Sequence, residues 1–311
     1  MQSADTKVKQ RILVLGAGEL GLAVLQGLAS RATESISISV LLRQTNVHDA
    51  SVEKQQALRA IGALGVTIET ADVTEASVQE LAAVLQRFDT VISCVGFSAG
   101  RGTQRKLTEA ALMAGVKRYV PWQFGVDYDL IGRGSPQDLF DEQLDVRDLL
   151  RAQSRTEWVI ISTGMFTSFL FEPAFGVVDL VAGRVSALGS FDTEVTVTTP
   201  QDIGALTAAI VLHSPRFVDQ VVYIAGDTLT YGALGDVVER VIGRKVERRV
   251  LGVQQLLTDL AQHSDDNLLK YRAVFAMGRG VAWDMEQTFN AQHRLPVTRA
   301  ESWAQANLPC G

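Results

Sequence analysis

Cysteine is nearly absent: two in 311 residues, Cys94 inside an apolar run and Cys310 at the tail. Two thiols so placed exclude a disulfide framework and a cysteine zinc site, and they fit a reducing compartment. Histidine is scarce as well. His48, His213, His263 and His293 show no ligand spacing and no acidic or cysteine companions, so no metal is expected. Also missing is an excess of positive charge. Lys and Arg total 29 against 35 for Asp and Glu, a net of −6, which offers nucleic-acid phosphate no clustered basic surface. The basic pairs Lys117-Arg118, Arg244-Lys245 and Arg248-Arg249 lie among acidic residues and read as solvated faces. No apolar run approaches the roughly eighteen residues of a membrane span, and the start, Met1 to Gln10, is polar without a signal core. These absences point to a cytoplasmic protein that engages neither nucleic acid nor membrane; a small-molecule partner and a monomeric or homodimeric state are expected.

What is present is apolar and alternating. Hydrophobic residues make up 47% of the chain, enough for a full core. Short β-rich runs, Arg11–Leu15, Ser37–Leu42, Val66–Thr70, Thr90–Cys94, Arg118–Pro121 and Trp158–Ser162, are separated by helix-length segments starting near Leu20, Glu53, Val78, Thr103 and Pro136. That alternation predicts an α/β fold: a doubly wound parallel sheet with its ligand crevice at the carboxyl ends of the strands. After Thr163 the pattern loosens, and the next core strand is Val221–Ile224, expected to return to the main sheet. The expected division is therefore a dinucleotide-binding domain over 1–162 and a smaller α+β substrate domain over 163–311.

The first βαβ unit carries the sharpest signal. Ile12-Leu-Val-Leu-Gly16-Ala-Gly18-Glu-Leu-Gly21 places G-x-G-x-x-G directly after a strand and at the mouth of a helix. Gly16 allows the tight turn, Gly18 lets the backbone approach a pyrophosphate, and Gly21 permits close packing. The helix start at Glu19 and Leu20 offers free amides to the anion. An NAD-preferring site usually ends its second strand in Asp or Glu, whereas this strand ends Leu42-Arg43-Gln44. Arg43 can fork onto a 2′-phosphate, so NADP(H) is the expected cofactor, with Lys54 as a possible second positive charge. Asp72 and Val73 follow the third strand and would flank the adenine. Val95 and Gly96 follow the fourth, where a small residue admits the cofactor.

Further along, Val116-Lys-Arg-Tyr-Val-Pro121-Trp-Gln-Phe124-Gly125, Leu139-Phe140-Asp-Glu-Gln143-Leu-Asp-Val146-Arg147, Thr163-Gly-Met-Phe166 and Glu301-Ser-Trp303 stand in order. With these the chain resembles the isoflavone reductase-like and NmrA-like atypical short-chain dehydrogenases. The resemblance implies NADPH, a Rossmann domain with a small C-terminal substrate domain, and reduction of aromatic metabolites in the active members. Other members bind the dinucleotide and act as regulators. It also adds Gln123 and Phe124 to the cofactor contacts. Three departures stand out. Leu15 replaces the leading glycine of the family's turn, and Trp122-Gln123 replaces its Ser-Glu. The lysine that active reductases carry four residues before the helix arginine is Gln143 here. Nor does any of Tyr119, Tyr128, Tyr223, Tyr231 or Tyr271 have a lysine four residues on.

With both familiar proton relays missing, Tyr128, in the loop after the fifth strand, is the preferred donor to a substrate oxygen, the alternative being a tyrosine that packs on the domain seam. Gln143 could hold that oxygen or a water through its amide. Met165, Phe166 and Phe169 lead the aromatic-rich stretch that would wall a small aromatic substrate. Three readings stay open on these residues: an NADPH-dependent reductase, an NADP(H)-sensing regulator without turnover, and a non-redox isomerase or cyclase.

Overall fold

The computed structural model describes residues 9–44 and 51–309, with the backbone alone for Glu53 and Lys54. His48 and Cys310 lie outside the described residues. In chain order the first elements are β1 (Gln10–Leu15), α1 (Glu19–Ala29), β2 (Ile36–Leu42), α2 (Val52–Ala63), β3 (Thr67–Thr70), α3 (Val78–Leu85), β4 (Thr90–Ser93), α4 (Thr103–Ala114) and β5 (Arg118–Val120). Then come α5 (Tyr128–Ile131), α6 (Leu139–Arg151), β6 (Glu157–Ser162), β7 (Met165–Phe166), α7 (Thr167–Leu170), β8 (Val178–Asp179), β9 (Arg184–Leu188) and β10 (Glu194–Thr198). The last third holds α8 (Pro200–Val211), β11 (Gln220–Tyr223), β12 (Asp227–Thr230), α9 (Tyr231–Ile242), β13 (Glu247–Leu251), α10 (Val253–Gln262), α11 (Asn267–Ala276), α12 (Phe289–Gln292) and α13 (Ala300–Asn307).

Seven strands form one sheet in the order β11-β6-β5-β4-β1-β2-β3. From β6 to β3 every neighbouring pair is parallel. Ile12, Leu13, Val14 and Leu15 are all fully buried, as a central strand covered on both faces must be. The order reverses beside β1, which creates the crevice where the glycine turn sits. The expected return of the 221–224 run to this sheet holds, with β11 beside β6.

Two compact units interleave along the chain. One comprises residues up to 122, 145–160 and 203–221; the other comprises 123–144, 161–202 and 222–311. The single division after residue 162 expected from sequence is thus replaced by several crossings. In the first unit α1 and α8 meet at two glycines: a Cβ on Gly204 would run into the Ala23 carbonyl, and one on Gly27 into the Gly204 carbonyl. The second unit adds two three-stranded sheets, β12-β10-β7 and β13-β9-β8. The alternation pattern missed both, because strands of two to five residues in mixed pairings leave no periodic signature.

Two local expectations are corrected. Helix α6 begins at Leu139 rather than near Pro136, because the Gln137 carbonyl accepts the Phe140 amide at 3.0 Å in a preceding turn. The Lys117-Arg118 pair splits. Lys117 is solvated and meets Asp89 at 2.9 Å, but Arg118 is 1% exposed and donates to the carbonyls of Val211 (2.6 Å) and Phe217 (3.1 Å). Val211 is the last residue of α8, so the guanidinium sits on the negative end of a helix dipole.

Candidate functional site

The glycine turn is built as its spacing demands. Gly16 has φ +85°, a left-handed conformation that costs glycine nothing, and its amide bonds the Leu41 carbonyl at 3.0 Å. A Cβ at Gly21 would collide with the Gly16 carbonyl, so the third glycine lets helix α1 close onto the turn itself. Gly18, the N-cap of α1, is the opposite case: a Cβ there would meet nothing within 4 Å. The turn therefore presents an open backbone face beside a helix N-terminus, the geometry that accepts an anion.

That face borders a cavity of about 400 Å³ lined by Gly16, Gly18, Arg43, Val73, Val95 and Gly96, with Thr74 and Ala99 among the remaining walls. Six residues singled out from sequence thus share one cavity. Arg43 is exposed immediately after β2. Asp72 takes the hydroxyl of Thr74 at 2.6 Å and its amide at 2.9 Å. These bonds, aided by the Arg43 charge, hold its carboxyl below the usual carboxylate range against a smaller opposing effect of burial. Glu19 is exposed in the first turn of α1, while Leu20 is 6% exposed and faces the core, so its amide rather than its side chain is available. Lys54 lies in α2, its side chain outside the described residues. At Gly96 a Cβ would lie 3.2 Å from the Trp122 ring, so this glycine makes room for an indole as well as for a ligand. Beneath the turn, Cys94 is buried, and burial alone pushes its thiol far up.

The remaining candidates belong to the second unit. Gln123 and Gln143 are both fully buried and bonded to each other. Gln123 Nε2 donates to the Gln143 backbone carbonyl at 2.8 Å and to its Oε1 at 2.9 Å. This fixes the orientation of the Gln143 amide and leaves its Nε2 sealed, with no acceptor among the described residues. An unmet buried N–H costs about 1–3 kcal/mol, which an acceptor oxygen on a ligand or water would recover. Phe124 is 5% exposed.

Tyr128 opens the short helix α5, capped by Asp127, whose other oxygen accepts the Tyr223 hydroxyl at 2.6 Å. Its ring is 2% exposed and stands edge-on to Phe140, centroids 5.0 Å apart. The preferred donor from sequence is thus enclosed in aromatic packing. Met165 is buried in β7 and pairs with Val197 of β10, while Phe166 and Phe169 are half-buried. Phe169 packs on Phe175 (4.5 Å) and Tyr271 (6.2 Å), and Tyr271 reaches Phe140 (5.8 Å). Tyr271 and Gln137 belong to this neighbourhood and were not anticipated. Tyr271 lies on a helix of mixed apolar and polar residues without a clear polar face, where a tyrosine reads as ordinary packing, and Gln137 lies in a polar turn.

The NmrA-like family model matches residues 8–294. An NmrA-like family domain-containing oxidoreductase of Gibberella moniliformis is 46% identical over 293 residues, covering 94% of this chain and 96% of its own. An isoflavone reductase homologue of Arabidopsis thaliana is 28% identical over 265 residues, 82% of each chain. Among solved structures, the leucoanthocyanidin reductase–NADPH binary complex from Vitis vinifera superposes with a TM-score of 0.77 at 20% identity, over 94% of this chain and 97% of its own.

Proposed function

The chain belongs to the NmrA-like family, and on that premise we propose that it is an NADPH-dependent oxidoreductase that reduces a small aromatic or polyketide-like metabolite at a carbonyl, enone or benzylic ether. The observation that carries this reading is the cavity at the glycine turn, rimmed by Arg43 where an NAD-preferring site would place a carboxylate. The open face of Gly18 and the first amides of α1 would receive the pyrophosphate. Arg43 would fork onto the 2′-phosphate, with Lys54 as a second charge, and Val73, Val95 and Gly96 would border the remainder. The relatives' names support the same chemistry: one is called an oxidoreductase, and the leucoanthocyanidin reductase structure holds NADPH.

When bound, NADPH supplies a hydride to the acceptor. The chain's own residues hold the acceptor and steady its oxygen. We assign Gln143 to that oxygen through its unmet Nε2–H, oriented by Gln123, with Phe166 and Phe169 as the apolar wall. A glutamine amide holds but does not exchange a proton near neutral pH, so it positions where the related lysine would also titrate. Tyr128 packs edge-on against Phe140.

Binding of NADPH and NADH, followed by quenching of tryptophan fluorescence, tests the cofactor. The wild type should favour NADPH by roughly ten- to a hundredfold, the worth of one charge-assisted phosphate contact. Arg43→Asp should erase or reverse that preference. Equal affinities in the wild type would sink the cofactor assignment. The loss of the family lysine at Gln143 favours a second reading, a sensor that binds NADP(H) without turnover. Tight NADPH binding with no consumption across aromatic ketones, enones and benzylic ethers would decide for it.

A further inference from the structure

Helix α11 presents three consecutive polar side chains, and two of them are anchored. Lys270 Nζ meets Asp138 Oδ1 at 2.8 Å, with the lysine side chain 12% exposed. Arg272 donates from Nε to the Phe175 carbonyl and from Nη2 to the Ala174 carbonyl, both at 2.8 Å. Between them stands Tyr271, its ring held against Phe140 and Phe169. Its hydroxyl has no hydrogen-bond partner among the described residues, and burial is the sole influence on its acidity. Unlike the hydroxyl of Tyr231, which is sealed and also without a partner, that of Tyr271 belongs to a half-buried residue and is open to approach.

The neighbours of Tyr271 share this character. Phe140 lies three residues before Gln143, hence on the same face of α6, and follows Gln137 in the turn. The amide nitrogens of both glutamines are sealed without acceptors. Among the described residues, this segment of the second unit thus carries three side-chain donors without an acceptor, the Tyr271 hydroxyl and the amide nitrogens of Gln137 and Gln143. Packing alone explains none of this, because phenylalanine would fill the place of Tyr271 and leave no polar atom to desolvate.

We infer that the Tyr271 hydroxyl is a hydrogen-bond donor to an oxygen of an aromatic ligand seated against Phe169, the other half-buried ring of this cluster. The placement rests on the geometry just given; that the ligand is the substrate to be reduced rests on the function proposed above. Anchoring at positions 270 and 272 fixes the donor before the ligand arrives, so binding does not have to order it. Burial pushes the phenol up to about 12, so it is protonated and donating at neutral pH.

The test uses the full chain and 4-nitrophenolate, an aromatic oxyanion whose absorption shifts when a donor grips its oxygen. Its affinity is measured for the wild type and for Tyr271→Phe, with and without NADP⁺, together with NADP⁺ affinity and melting temperature. A hydrogen bond to a charged oxygen predicts roughly ten- to a hundredfold weaker phenolate binding in the variant. NADP⁺ affinity should be unchanged and the melting temperature no lower, since no internal bond is lost. Equal phenolate affinity in the two proteins, or no binding to the wild type, overturns the inference. So does a lowered melting temperature, which would reveal an internal partner for the hydroxyl. Failure of the wild type to bind NADP⁺ counts against the proposed function instead, and the measurements without nucleotide still decide the role of Tyr271.

Discussion

Asp89 joins the start of two strands. It accepts the Arg11 backbone amide at 2.9 Å and Nε at 3.2 Å, and meets Lys117 at 2.9 Å. Burial pushes its carboxyl up, but the bonds from Arg11 and Lys117 together outweigh that and hold it well below the usual carboxylate range. A depressed folded pKa means stability that is present above the unfolded value near 4 and lost as pH falls through the folded one. Asp89→Asn should therefore lower the melting temperature at pH 7, by an amount equivalent to about 1–2 kcal/mol once the exposure of both cations is allowed for. The gap should narrow steadily as pH drops from about 5 towards 2. A gap independent of pH would remove the carboxylate from this role. Other residues were legible from sequence in type but not in setting. Gln143 was found by its place in a motif, yet the Gln123 bond that orients it joins positions 20 apart and has no local signature. Arg118 looked solvated because its acceptors, Val211 and Phe217, are more than ninety residues away.

Among the elements, α1 and α8 show how a glycine in a helix can oppose the usual rule. Replacing a helical glycine with alanine normally gains up to about 1 kcal/mol. At Gly204 the added methyl would lie within the backbone of Ala23, so Gly204→Ala should instead cost roughly 1–3 kcal/mol. Gly62, in α2, has nothing within 4 Å of such a methyl, and Gly62→Ala should be neutral or stabilising. Thermal melts of the two variants compare the effects directly, and equal shifts would contradict the close crossing. Strands β1 to β6 and the longer helices between them were legible because buried parallel strands are continuous apolar runs bounded by turns, whereas α5, four residues long, was read as a loop. The stretch from Met165 to Thr198 was not. Its strands are short, and their partners, such as Thr230 for Glu194, arrive from distant sequence.

At the scale of the molecule, the interleaving of the two units makes the chain harder to divide than its motif order suggests. A fragment ending at Ser162 would contain the glycine turn and six strands but lack α8 and β11. It would leave the Gly27 face of α1 uncovered and deprive the Arg118 guanidinium of both carbonyl acceptors. A buried cation without partners is costly. We expect such a fragment to lack a cooperative thermal transition by circular dichroism, whereas the full chain melts cooperatively. A sharp transition in the fragment would show that the first βα units suffice. None of the described helices is long and apolar enough to cross a membrane.

The buried thiol of Cys94, at the end of β4 beside the glycine turn, has a consequence of another kind. Only the thiolate reacts quickly with peroxide or maleimide, and desolvation keeps that form scarce in the folded protein. Position 94 is thereby insulated from oxidants, and its modification becomes a clock. The rate at which it takes up a label records how often the crevice end of the sheet opens, and a dinucleotide bound over it would slow that clock.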